Sequence, residues 1–136
     1  MDRKRSRKRA SNPRSVAAPL KGYYSNAVRA SSGPLLFISG QIALDKKGKL
    51  VGKGDLRKQA EQVLENIRLI LKANQADMRD IVQVTVYVRD IKAFHEIADI
   101  RMRYFPQNGP ASAIVEVSAL AMPELLIEIA AVAVVP

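Results

Sequence analysis

The sequence has no cysteine and one histidine among its 136 residues. Without cysteine there is no disulfide framework, no thiol nucleophile and no thiolate metal site. His95 alone does not build a histidine-rich metal centre, so no such metal site is expected. Long apolar runs are also missing. Residues 125–135 form the longest, and Glu128 interrupts it, well short of the roughly 18 residues that span a bilayer. No apolar stretch follows the basic N-terminus, so it does not read as a secretory signal, no membrane partner is expected, and the expected location is cytoplasmic.

Acidic residues are the scarcer charge, 13 against 22 Lys and Arg, for a net charge of +9. The excess is unevenly placed. The first 14 residues hold seven Lys/Arg and one Asp, leaving 15 basic and 12 acidic residues in the remainder. Such a charge run reads as a disordered tail over residues 1–18, with a single domain over 19–136. A nucleic-acid contact through the tail is an open alternative, not the favoured one.

The body alternates between strand and helix patterns. Residues 35–44, "LLFISGQIAL", read as a strand with Gly40 as a bulge or close-approach point, and "GYYSNAVRA" as a strand before it. From residue 56 to 73 the apolar positions Leu56, Ala60, Val63, Leu64, Ile67, Ile70 and Leu71 make one stripe of a helix. Asp55 is its expected N-cap and Asn74 its left-handed C-cap. "DIVQVTVYVRD" places Val82, Val84, Val86 and Val88 on one face and Gln83, Thr85 and Tyr87 on the other. A second helix is expected over 91–104, with Phe94, Ile97, Ala98 and Arg101 on a shared face, and two strands over 112–118 and 125–134. The order β-β-α-β-α-β-β predicts an α+β two-layer sandwich, one mixed sheet with both helices on one face. The other face carries Gln83, Thr85, Tyr87 and Glu128. It is too polar for a core and too apolar for water, which suggests an interface between copies.

Four stretches, "LLFISGQIAL", "NIRLILKANQADMRDIVQVTVYVRD", "PASAIVEVSAL" and "IEIAAVAV", in this order and spacing, resemble the reactive intermediate deaminase family, also called Rid, YjgF or endoribonuclease L-PSP-like. The resemblance implies a chorismate-mutase-like fold, a homotrimer, and small-molecule clefts between subunits. There, reactive imines and enamines are hydrolysed to keto acids and ammonia without metal or cofactor. Some members have been described as ribonucleases or translation inhibitors. It further implies that Glu128 is the catalytic carboxylate, with Tyr24 (or Tyr23, if the register slips by one) and Ser39 at the cleft. The deaminase branch opens its strand Pro-Ala-Arg-Ser, whereas this chain reads Pro110-Ala111-Ser112-Ala113, so Ser112 stands where the carboxylate-binding arginine is expected. Ala98 likewise replaces an asparagine.

The resemblance thus predicts imine or enamine hydrolysis on a substrate other than a simple 2-imino acid, with Ser112 as a substrate contact. A non-catalytic metabolite-binding protein of the same fold is the alternative, RNA binding or cleavage a further one. Arg101, Arg103 and Lys21 are the cations that another backbone position offers the cleft, and Glu116 is a second carboxylate. Ser112 has no histidine near it in sequence and does not read as a nucleophile. His95 is expected to face solvent. "KKGKLVGKG" lacks the helix-opening Gly-Lys-Ser/Thr of a phosphate loop.

Overall fold

Asp55 opens the first helix, α1 (Leu56–Ala73), by accepting a hydrogen bond from the Lys58 amide at 3.1 Å in the computed structural model, which describes residues 7–136. The expected stripe is the buried one: Ala60, Val63, Leu64, Ile67 and Leu71 are at most 1% exposed. Each fully buried Leu, Ile or Val contributes about 1.5–3 kcal/mol. Gln59 is buried with them. Its amide nitrogen donates to the Gly52 and Glu124 carbonyls and its oxygen accepts from the Leu126 amide, so one side chain pins two loops to the helix. The left-handed residue after α1 is Gln75 (φ 57°), one position beyond the expected Asn74. Ala76 N–H then donates to Leu71 O and Gln75 N–H to Lys72 O, which satisfies the last carbonyls of the helix.

Among the described residues six strands accompany it: β1 (Lys8–Ser11), β2 (Ala27–Ala30), β3 (Leu35–Gln41), β4 (Ile81–Val88), β5 (Ala111–Glu116) and β6 (Ile127–Val134). The last four form a mixed sheet in the order β3-β6-β4-β5, with β4 and β5 parallel and the other pairs antiparallel. Both helices lie on one face of this sheet, over Ile81, Val84, Val86, Val88, Ile127, Ile129, Ala131 and Ala133, all buried. This is the expected α+β sandwich. Leu35 and Phe37 stand on the opposite, uncovered face, 56% and 73% exposed. No helix among the described residues is long and apolar enough to cross a membrane.

Several expectations need correction. Residues 8–11, assigned by charge to a disordered tail, form β1, which pairs antiparallel with β2. The pairing satisfies backbone groups that the charge count ignores. Arg7 donates to Ser32 O and Lys8 Nζ to Ile81 O, fastening the segment to the body. Residues 1–6 of the expected tail lie outside the described residues. The first expected strand does not enter the main sheet either. Ser25 makes one bridge to Ala111, and β2 then leaves to pair with β1. A register shift between Ile81 and Gln83 puts Ile81, not Val82, with the buried valines of β4. The second helix is divided into 3₁₀ turns over Ile91–Ile97 and a helix α2 over Ala98–Tyr104. In consequence Phe94 is 38% exposed, while Ile97, Ile100 and Arg101 are buried. The tighter 3₁₀ winding shifts the face that an α-helical count predicts.

Candidate functional site

The residues singled out in the sequence fall into two groups within one chain. Glu128 lies on β6 opposite Tyr87 of β4, on the uncovered face. Its carboxyl group occupies the space above Gly40: a Cβ there would collide with Glu128 Oε2. Gly40 sits in the irregularity between Ile38 and Gln41, where the pairing with β6 shifts. Such a bulge re-aims side chains, and Ser39, within it, is exposed. Among the described residues Glu128 has no ion pair and Ser39 no side-chain hydrogen bond. Ser39, but not Glu128, lines a shallow depression of ≈ 240 Å³ together with Phe37, Gln83, Thr85 and Ala130 among others.

The second group surrounds the start of β5, the sheet edge beside α2. Ser112 pairs in register with the buried Val84, so its side chain points to the helix face, away from that of Glu128. Arg101, on the buried side of α2, donates from one terminal guanidinium nitrogen to Ser112 Oγ at 2.9 Å. Its guanidinium carbon lies 4.2 Å from the centre of the Tyr23 ring. Tyr24 follows at a ring separation of 5.8 Å, and its hydroxyl accepts from the Leu20 amide. The loop is held by Ser25, which donates to Gly109 O at 2.6 Å and, through its amide, to Pro110 O.

Arg101 is 4% exposed and forms no ion pair among the described residues. Burial lowers its pKa from the ordinary value, and Tyr23 and Tyr24 partly offset this. Arginine stays charged nonetheless. Of the cations named from the sequence, only this one reaches the site. Arg103 pairs with Glu61 at 2.9 Å and Lys21 is exposed. Glu116 is occupied elsewhere, accepting from the Ile91 amide at 3.1 Å. His95 is exposed, edge-on to the Phe94 ring. The sequence signal for Arg101 was an arginine on an otherwise apolar helical stripe. The signal for Tyr23 was only its adjacency to Tyr24.

Residues 15–135 match the family described as endoribonuclease L-PSP. The chain belongs to this family, the Rid or YjgF family. Across the Rid domain the chain is 44% identical to a RutC family protein of Pyrococcus horikoshii over 112 residues, covering 82% of this chain and 86% of that one. It is 38% identical to the human 2-iminobutanoate/2-iminopropanoate deaminase over 99 residues, covering 73% and 71%. A Rid family protein of unknown function from Yersinia pestis superposes with a TM-score of 0.89 at 34% identity, covering 95% of this chain and 99% of that one.

Proposed function

We propose that this Rid protein hydrolyses the C=N bond of an imine, or of an enamine after its tautomerisation, at a cleft completed by a second copy of the chain. The observation that carries the reading is the Glu128 carboxylate, without an ion pair among the described residues, above Gly40 on an uncovered sheet face, with the exposed Ser39 preceding that glycine. A carboxylate so placed serves as a general base for water and returns the proton to the leaving nitrogen. Water adds to the imine carbon, the carbinolamine loses ammonia, and a carbonyl product remains. Tyr24, Ser39 and Ser112 orient the substrate. Because Tyr24 and Ser112 lie at the sheet edge and Glu128 on the open face, the two groups meet across copies, in a homotrimer of cytoplasmic location.

The substrate is other than a simple 2-imino acid. Ser112 offers one hydrogen bond where a strand arginine would offer a two-point grip. The lost contact, about 1.5–3 kcal/mol, lowers the rate by roughly one to two powers of ten. The test is ammonia release from a panel of imines generated in place, with wild-type protein and Glu128→Gln. Turnover that depends on Glu128 supports the reading. Tight metabolite binding with no turnover moves the protein to the non-catalytic alternative. RNA binding that falls steeply with salt and is lost in an Arg9→Gln/Arg29→Gln variant, whose two sites face each other across β1 and β2, would favour a nucleic-acid role.

A further inference from the structure

A buried guanidinium is costly unless something negative comes to it. Arg101 has a hydroxyl on one terminal nitrogen and an aromatic face at 4.2 Å, both neutral. No carboxylate among the described residues pairs with it, although exposed arginines nearby have theirs: Arg57 with Asp99 and Arg103 with Glu61. The fork is aimed rather than loose. Ser112 fixes one edge, Tyr23 fixes the plane, and Gly109 packs so closely on the Tyr23–Tyr24 peptide that a Cβ there would overlap its carbonyl. An oriented, largely buried fork that meets no anion among the described residues is the arrangement that binds a planar anion.

We propose that Arg101, reaching the β5 edge from α2, is a substrate-binding residue that holds the anionic group of the ligand and selects a carboxylate carried on an arm. This rests on the hydrolytic reading of the same site and names its substrate class: imines of oxo acids whose carboxylate is separated from the C=N carbon by a spacer. The spacer follows from depth. At 4% exposure the guanidinium, bonded to Ser112 Oγ, offers little surface, so a ligand reaches it by extending a group inward. A carboxylate attached directly to the reacting carbon would hold that carbon back from water.

The experiment uses the full chain and four probes: pyruvate, 4-oxopentanoate, and the methyl ester of each. Binding is followed by calorimetry and by the guanidinium resonances of Arg101. The expected order has 4-oxopentanoate binding about 10- to 100-fold tighter than its ester and tighter than pyruvate. The acid should shift the Arg101 resonance, and Arg101→Gln should erase the acid-over-ester ratio. Should that variant fail to fold, Ser112→Ala, which leaves the charge but releases its aim, is expected to reduce the ratio several-fold. Equal binding of acid and ester, pyruvate binding as well as the longer acid, or an Arg101 resonance that ignores the bound acid would each overturn the proposal. So would an acid preference untouched in Arg101→Gln, and so would dissociation of the oligomer in that variant with no anion effect in the wild type, since a second copy's carboxylate would then be the partner of Arg101. Glu128-dependent ammonia release from neutral imines alongside a ratio near one sinks this inference alone. An Arg101-dependent acid preference without turnover sinks the hydrolytic reading instead.

Discussion

Gly40 and Glu128 share one volume: the carboxyl group lies where any side chain at position 40 would begin. Gly40→Ala therefore displaces a flexible carboxylate rather than backbone. Stability should fall by no more than about 1.5 kcal/mol, the cost of an off-rotamer side chain. Any Glu128-dependent ammonia release should drop at least tenfold. Thermal melts and the ammonia assay on one preparation check this. Equal losses in both would mean that Gly40 serves the sheet and not the carboxylate.

Gly109 makes the contrasting case. A Cβ there meets the carbonyl of Tyr23 and the amide nitrogen of Tyr24, which are backbone atoms and cannot swing aside. Gly109→Ala is expected to destabilise by about 1–3 kcal/mol through overpacking. It should also move the Tyr23 ring off Arg101, visible as altered ring-current shifts. Unchanged denaturation and unchanged shifts would contradict the packing described.

Much of this was legible from the residues, and the failures have physical causes. The α1 stripe and the β4 alternation are repeated often enough for periodicity to identify them. Asp55 announces the helix start because its side chain serves the local backbone. β1 was hidden because charge composition says nothing about who satisfies a backbone amide, and its partner β2 is 16 residues away, from Ser11 to Ala27. Ser112 was visible as a substitution, but its partner Arg101 joins it from another element. No spacing rule links the two. The opposite orientations of Ser112 and Glu128 follow from register, which becomes known only once β4 is seen between β5 and β6.

Lys8 gives a pH prediction. Burial lowers its pKa from 10.5 to about 8, against a smaller opposing pull from Asp80. Between those values the unfolded chain holds a proton that the folded chain releases, so stability rises with pH across about 8 to 10.5. Below pH 8 both states are protonated and the cost of the buried charge is fully present. In Lys8→Met this part of the pH dependence should vanish. Urea midpoints of the two proteins from pH 7 to 10.5 would show converging curves, and parallel curves would refute the assignment.

Phe37, 73% exposed beside the Glu128 group, tests the shared cleft. Phe37→Glu should leave the monomer folded, because the residue is already in water. It should abolish assembly by setting a charge into an apolar contact. Light scattering is expected to show a single-chain mass, with ammonia release lost alongside. An intact trimer carrying that substitution would place the interface elsewhere.

The position of β6 has a kinetic consequence. It lies between β3 and β4, so neither has its inner neighbour until β6 inserts. Leu35 must find Val134, and Ile81 must find Ala133, across long stretches of chain. Loop closure of that length precedes any reward from pairing, so folding is expected to be slow and all-or-none. A protease cut in the loop ahead of β6 would release the one strand that holds both halves of the sheet together.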